Sequence, residues 1–315
     1  MRKNKNKVHL EGFLYEHNLE VKVSGPTSKV PNTTFISGTI SIATDDECVN
    51  IVPVHFTYVT ATTSKGGPNA TFNTLKNIYD GIFGSVMGVG KENAVKLVVD
   101  SALALNEFYA ERNGVEELVS SKRAEGGFVH KVDVVSEDPS LRNYFEVDMV
   151  ITNAVRKEAD EEKDLPEKMI LKGAIFDFRN ALLPVEFTVL SPKAMDYFEN
   201  AEISSKNPFY LELKGKQVSE TIVKKIVEEN AFGEPFVKET TSSRKDFVIF
   251  HGGNNIYEWD DENTMTVADM NKAIADREVY LATMKQRQDE YKASKQQAKA
   301  AAAPQPTIAN NGFNF

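Results

Sequence analysis

A single cysteine and the absence of long apolar runs restrict where this 315-residue chain is expected to work. Cys48 is the only cysteine, which excludes an intrachain disulfide and a zinc site built on several cysteines. No stretch of about 18 apolar residues occurs, so we expect no membrane span. The basic start, MRKNKNKVHLEG, is not followed by an apolar segment, so we expect no secretory signal. These absences predict a cytoplasmic protein.

The sequence also lacks the motifs of the common enzyme classes. The glycine-rich segment GSVMGVGKE (Gly84 to Glu92) has its first glycine one residue too far from the Gly-Lys pair for a phosphate loop, and Glu92 replaces the required Ser or Thr. The five histidines form no HxH or HxxxH pair, and Asp260–Glu262 lacks the spacing of a calcium loop. No GxSxG or Cys–His arrangement occurs. We therefore expect no catalysis, no metal and no cofactor.

Negative charge predominates, but it is unevenly distributed. The net charge is −9, from 37 Lys and Arg against 46 Asp and Glu. Residues 1–130 carry 13 basic and 14 acidic side chains, residues 131–266 carry 17 and 27, and residues 267–315 carry 7 and 5. Part of the acidic excess is one run, Glu158 to Glu162 followed by Asp164 and Glu167, which is typical of a solvated loop. The near-neutral first segment leaves room for a basic groove.

Alternation of apolar and polar residues predicts a chain made mostly of strands. We expect strands at 8–15, 34–43, 51–60, 94–109, 126–135, 143–153, 168–178, 183–190, 207–218 and 246–251. Helical spacing predicts helices at 69–83, at 219–229 and, after a capping pair formed by Thr266 and Asp269, at 267–300. Many short strands with few helices favour barrels or sandwiches.

Two smaller features are open to two interpretations each. The segments around Gly12, Ser101 and Gly173 share apolar positions at −4, −2 and +2, which indicates either a duplication or a chance match of amphipathic strands. A small residue inside a strand is typical of a bend or bulge where a barrel turns a corner. The chain ends with Phe313 and Phe315, which are either a peptide offered to a partner or an accidental end.

Flat and basic side chains on strand faces are the main candidates for a binding site. If Leu10, Gly12 and Leu14 face a core, alternation turns Tyr15 and His17 outward, and the same reasoning turns Phe176 and Phe178 outward beside Arg179. Bases of single-stranded nucleic acid stack on such rings while cations follow the phosphates. In the alternative, strands covered on both sides bury the same rings. The other basic candidates are Lys22, Lys29, Lys65, Arg112, Lys122 and Arg123.

Three of these basic groups stand near glycine pairs. Lys65 precedes Gly66-Gly67 in a loop, and Lys122 and Arg123 belong to SSKRAEGGF (Ser120 to Phe128), which we expect to form a turn. A glycine pair lets the backbone approach a phosphate closely.

Several segments resemble the single-stranded DNA-binding proteins of tailed bacteriophages that infect Firmicute-type hosts. They are LNEFY with SSKRAEGGF (Leu105 to Phe128), GAIFDFRNALLPVEF (Gly173 to Phe187) and NAFGEPFV (Asn230 to Val237). The opening NKVHLEGFLYEHNLE and the later FISGTISIATDD are similar to the entry strands of OB-fold proteins. The similarity extends over about residues 8–285.

The resemblance implies a mainly β fold with one or two OB-like barrels, a long C-terminal helix and a flexible tail. We expect a first OB-like region at 1–125, a second at 126–265, the helix at 266–300 and the tail at 301–315. The implied function is coating and protection of single-stranded DNA during phage replication or recombination, in the host cytoplasm. An alternative is a structural or assembly protein of a virion, whose helix and tail contact neighbouring proteins.

The resemblance also implies partners. They are single-stranded DNA, further copies of the chain on that DNA, and replication or recombination proteins that bind the tail. Bacterial single-strand binding proteins end in an acidic tip closed by Phe, whereas Asn310 to Phe315 keeps the aromatics without the acids. Recruitment through the tail is therefore the least supported of these expectations.

Overall fold

The computed structural model describes residues 4–160, 165–228, 236–259 and 265–301, and the chain is mainly β with a C-terminal helix. The strands are β1 (Asn6–His17), β2 (Glu20–Val23), β3 (Thr34–Ala43), β4 (Ile51–Thr60), β5 (Lys96–Arg112), β6 (Val115–Val132), β7 (Asn143–Lys157), β8 (Lys168–Phe176), β9 (Leu182–Val189), β10 (Phe209–Glu228) and β11 (Phe236–Ile256). The helices are α1 (Ala70–Tyr79), α2 (Val86–Val89), α3 (Pro192–Asn200) and α4 (Val267–Ala301), with single 3₁₀ turns at Lys91–Asn93 and Pro139–Leu141. No helix in these ranges is long and apolar enough to cross a membrane.

Five strands of the first half pair in a closed circuit, here called the first circuit. β1 pairs antiparallel with β3 and with β5, β3 pairs with β4, and β5 pairs with β6. A short parallel pairing of Val54 with Ala124 and of His55 with Glu125 joins β4 to β6 and completes the circuit. α1 lies between β4 and β5 in the chain, and β2 extends the sheet beside β3.

The second half repeats this order of elements in a second circuit. β7 pairs with β8 and β10, β8 with β9, and β10 with β11, all antiparallel. A parallel pairing of Val248 with Thr188 and of Ile249 with Val189 joins β11 to β9. α3 lies between β9 and β10, as α1 lies between β4 and β5. The two halves therefore share one order of elements. The segments around Gly12, Ser101 and Gly173 do not reflect this repeat, because they lie on β1, β5 and β8, which do not occupy equivalent positions in the two circuits.

The two circuits join through their first strands. Residues Asn6–Leu10 of β1 pair antiparallel with Asn143–Val147 of β7, which makes one sheet of 11 strands. The chain passes from the first circuit to the second between Val132 and Asn143, while β6 runs across position 125, the expected boundary.

The main apolar core draws on both circuits, and a second cluster lies on the outer side of β8. The main core includes Leu10, Phe56, Phe145 and Phe187. The second cluster contains Phe176 and Tyr210, and Met265, Met270 and Ala273 near the start of α4 pack there. The strand β8 is therefore covered on both sides.

Helix α4 begins with the expected reciprocal cap and then reaches back to the first circuit. The Asp269 N–H donates to Thr266 Oγ1 at 3.1 Å, and the Thr266 N–H donates to the Asp269 carboxylate at 3.3 Å. Further along, Arg277 forms an ion pair with Glu107 of β5. Gln288 bonds both the N–H and the C=O of Tyr109, so its amide occupies the open edge of β5.

Two expectations for local structure are wrong. The helix expected at 219–229 is wrong for residues 219–228, since β10 continues to Glu228 in a long ribbon with β11. Glu229 lies outside the described residues. The pairing with β11 outweighs local helix propensity. The segment Ser120–Phe128 is not a turn but part of β6, in which Gly126 (φ 67°) and Gly127 (φ 96°) face a register shift between Asp100 and Ala102. The glycine pair makes a bulge in a continuous strand.

Gly12 marks the point where one edge of β1 changes partner from β7 to β3. β7 pairs up to Leu10 and β3 pairs from Phe13 onward. A Cβ at Gly12 would overlap the carbonyl oxygen of Ala43. Only glycine allows this close approach, as expected for a bend in a small closed sheet.

We predict that Gly12→Ala lowers the free energy of unfolding by about 1–3 kcal/mol, because the strands must separate to admit the methyl group. The matched control is Gly25→Ala, where an added Cβ has open space within 4 Å. Urea denaturation of both variants measures the difference. Equal stability of the two variants would contradict the close approach.

Candidate functional site

A groove at the surface of the first circuit, here called the aromatic groove, is lined by three exposed rings, those of Tyr58, Phe128 and Phe178. Its volume is 660 Å³, and it lies between β4, β6, the loop that follows β4, and the turn between β8 and β9. It is lined by Phe56, Thr57, Tyr58, Val59, Thr60, Thr62, Thr63, Ser64, Asn69, Thr71, Glu125, Gly126, Gly127, Phe128, Phe178 and Arg179.

Three rings of the groove are open to solvent. Phe128 is 75% exposed, Phe178 is 74% exposed and Tyr58 is 46% exposed. Tyr58 rests on Phe35 of β3 with the ring centroids 4.4 Å apart, so its plane is held by a neighbouring ring. Phe128 follows the bulge at Gly126-Gly127. A group of exposed large apolar side chains around one groove makes this surface a candidate binding site.

The second circuit contributes to the groove through the turn between β8 and β9. The Asp177 carboxylate accepts hydrogen bonds from the N–H groups of Arg179 at 2.7 Å and Ala181 at 2.8 Å, which fixes the turn. Asn6 connects this end of β8 to β5, since its amide donates to the carbonyls of Phe176 at 3.1 Å and Leu103 at 3.0 Å. Phe178 and Arg179 are therefore presented on an anchored turn.

The loop after β4 is held in a defined shape. The Thr63 N–H donates to Gly67 O at 2.8 Å, and the Gly66 N–H donates to Thr63 O at 2.9 Å. Asn69 caps α1 and also donates to Thr60 O at 2.9 Å. These bonds fix the loop in which Thr62, Thr63 and Ser64 line the groove, and Lys65 follows them in the sequence.

The charges around the groove leave positive groups uncompensated. Glu125 is the carboxylate of the lining, and it accepts hydrogen bonds from Arg123 at 2.8 and 2.9 Å and from Thr57 at 2.6 Å. The Arg179 guanidinium lies 4.9 Å from the centroid of the Phe178 ring. Within the described ranges, neither Arg179 nor Lys65 has a carboxylate within 4.0 Å. A free anion can therefore approach both.

Of the residues that the sequence singled out, the structure brings Phe178 and Arg179 to this groove, and it corrects Phe176. Lys65 belongs to the loop that lines the groove with Thr62, Thr63 and Ser64, but Lys65 itself is not part of the lining. Phe176 is completely buried beside Tyr210, because the start of α4 covers the face of β8 that alternation turned outward. Tyr15 is half-buried against Phe13, Cys48 and Val86 and does not line the groove. The alternative interpretation, packing, holds for these two rings.

Four other candidates lie apart from the groove. His17 ends β1, accepts a hydrogen bond from the Leu19 N–H at 3.4 Å, and has its pKa lowered by partial burial, so it offers no charge to a phosphate near pH 7. Lys22 pairs with Glu20 at 2.5 Å on β2. Lys29 is exposed in the turn before β3, and Arg112 is exposed at the end of β5.

Lys122 and Arg123 both form hydrogen bonds with neighbouring groups of the protein. Arg123 holds Glu125, as described above, and also donates to Asn106 at 3.2 Å. Lys122 is half-buried and donates to the carbonyl oxygen of Glu186 in β9. The expectation that both groups lie free in a turn is wrong, because β6 carries them into contacts on either side.

Tyr58 and Phe128 were missed by sequence reasoning. Phe128 follows a glycine pair within a strand, a signal of a bulge that redirects the next side chain. Tyr58 stands two positions after the buried Phe56, so alternation assigns it to the core face, but the register between β3 and β4 shifts at this point and Tyr58 is exposed. Some of the residues named from the sequence lie outside the described residues. They are Phe313, Phe315, Asp260–Glu262 and, within NAFGEPFV, residues 230–235.

Metal chemistry finds no support in the described ranges, where no group of three His, Cys, Asp or Glu side chains could hold an ion.

Comparison with known proteins gives a family. A search of curated proteins finds no match. Among solved structures, a deletion variant of the single-stranded DNA-binding protein from Thermus aquaticus is similar with a TM-score of 0.44 and 9% identity, covering 83% of this chain and 100% of that one. A similarity of this size does not identify a function. A family model described as YorF matches residues 4–292. Since that match spans most of the sequence, the chain belongs to the YorF family.

Proposed function

We propose that the chain binds single-stranded DNA through the aromatic groove, without catalysis. The observation that carries the proposal is the group of three exposed rings, on Tyr58, Phe128 and Phe178, which line one cleft together with Arg179. Every base has a π-face, so such rings accept bases of any sequence, while cations follow the phosphates.

The order of strand pairing supports OB-like barrels, which we propose for both circuits. An OB-fold is a five-stranded Greek-key barrel that binds oligonucleotides on the face of its second and third strands. In the first circuit those strands are β3 and β4, and they carry the rings of Phe35 and Tyr58, whose centroids lie 4.4 Å apart. The groove therefore lies where this architecture has its binding face.

The distribution of charge is compatible with preference for single strands. Duplex DNA is held mainly through its dense phosphate charge, which a chain of net charge −9 does not favour. Stacking needs unpaired bases, and the exposed rings supply the surface for it. By its resemblance to phage proteins, we propose that the coated strand belongs to DNA in replication or recombination.

We predict that Phe128→Ala and Phe178→Ala each weaken binding of an oligo-dT strand by about 5- to 100-fold, the loss of one stacked base at about 1–3 kcal/mol. Because both rings are mostly exposed, melting temperatures should change little. Fluorescence titration at low salt measures the affinity, with a matched duplex as competitor.

The control for this pair is Tyr291→Ala, which removes another exposed ring, on α4. Its affinity for oligo-dT should equal that of the wild type. If the Phe128 and Phe178 variants also bind like the wild type, the groove is not the DNA site.

We further predict that Arg179→Gln lowers the magnitude of the salt slope of oligo-dT binding by about 0.7, the value for one phosphate contact on a single strand. Titrations at several chloride concentrations give the slope. Lys193→Gln, which removes an exposed lysine at the start of α3, should leave it unchanged. An unchanged slope in the Arg179 variant would remove this residue from the phosphate path.

A further inference from the structure

A second cleft lies between the two circuits, on the side where β6 meets β9 and α4; we call it the seam cleft. Its volume is 520 Å³. It is lined by Leu105, Glu107, Leu118, Ser120, Ser121, Lys122, Lys172, Gly173, Pro184, Val185, Glu186 and Arg277. None of these residues lines the aromatic groove, so the cleft has a separate chemistry.

Lys122 brings a poorly compensated positive charge to the seam cleft. Its Nζ lies 5.3 Å from the ring centroid of Phe187 and 5.0 Å from that of Phe247, and it donates to the Glu186 carbonyl. Within the described ranges no carboxylate lies within 4.0 Å of it. Burial lowers the pKa of this ammonium, although Asp246 and Glu186 act against the shift. A desolvated cation without a counter-ion is costly and marks candidate functional sites.

Two further basic groups face the same cleft. Lys172 pairs with Glu186 at 2.8 Å on the rim. Arg277 pairs with the nearly buried Glu107, yet its Nε is buried without a hydrogen-bond partner. A buried N–H donor left unpaired costs about 1–3 kcal/mol, so the Arg277 side chain, which borders the cleft, is incompletely hydrogen-bonded.

The balance of charge in the cleft is positive. Among the lining residues three cationic side chains face two carboxylates, and both carboxylates are already engaged, Glu107 by Arg277 and Glu186 by Lys172. Asp246, whose charge also acts on Lys122, does not line the cleft and accepts a hydrogen bond from Thr188 at 2.8 Å. The hydroxyls of Ser120 and Ser121 add neutral donors on the β6 side. A tetrahedral oxyanion accepts several such hydrogen bonds at once, and charge-assisted bonds of this kind are about twice as strong as neutral ones.

We propose that the seam cleft binds a phosphate group, with the Lys122 ammonium as its main partner. The phosphate belongs either to the backbone of a bound strand or to a free phosphate or nucleotide. The proposal is independent of the aromatic groove, because it rests on Lys122, Lys172 and Arg277 alone.

The test is the melting temperature of the full chain in about 50 mM inorganic phosphate against chloride of equal ionic strength. The wild type should melt about 2 °C higher in phosphate. Lys122→Met keeps an unbranched chain over the two rings and removes the charge. It should melt in chloride at or above the wild-type temperature, because an uncompensated charge is gone, and it should lose the phosphate shift.

Each result decides for or against the seam cleft. No phosphate-specific shift in the wild type, or a shift that persists in Lys122→Met, would overturn the proposal. Lys193→Met, which removes an exposed lysine, should keep the shift. If Lys122→Met does not fold, Lys172→Gln on the rim replaces it in the test. This variant should weaken phosphate binding about threefold. Unchanged phosphate binding in Lys172→Gln would also overturn the proposal.

Titration with oligo-dT identifies the source of the phosphate. Weaker oligo-dT binding and a smaller salt slope in Lys122→Met assign it to a strand backbone. Unchanged oligo-dT binding with a lost phosphate shift assigns it to a free phosphate or nucleotide. If Phe128→Ala and Phe178→Ala leave oligo-dT binding intact while the phosphate shift stays, the proposed function fails and the seam cleft stands.

Discussion

The antiparallel pairing of β1 with β7 is the interaction on which the rest of the structure depends. β1 has β5 along one edge, while its other edge pairs first with β7 and then, beyond Gly12, with β3. The same strand therefore closes the first circuit and joins it to the second. β7 is arranged in the same way, with β10 on one edge and first β1, then β8 on the other. The fold is two repeats held together by their first strands.

This junction explains why the candidate sites combine both circuits. The aromatic groove takes Tyr58 and Phe128 from the first circuit and Phe178 and Arg179 from the second. The seam cleft takes Lys122 from β6 and its floor from β8 and β9. A change in how β1 meets β7 would separate the groups at both places. The two candidate sites thus depend on how the circuits are joined and not on either circuit alone.

Local patterns predicted the strands and the cap of α4, but not which faces stay open. The period of two is a property of each strand, and it placed Phe176 and Phe178 on one outward face. Phe178 is exposed as expected, but only because it lies in the turn after β8, which ends at Phe176. The period could not show that α4 returns to cover Phe176, since that contact joins residues about 100 positions apart in the sequence. The prediction that Lys122 lies free in a turn was wrong for the same reason, because its contacts come from β9. To predict that Tyr58 and Phe128 share one groove, one must know that β4 pairs with β6. That pairing follows from closure of the first circuit.

Photochemical crosslinking of an oligo-dT strand to the full chain, followed by mass spectrometry of the peptides, tests the central claim most directly. Rings that stack on bases are the groups in closest contact with them. The account predicts adducts on the peptides that contain Tyr58, Phe128 and Phe178. Adducts confined to peptides that contain none of these three rings would contradict it.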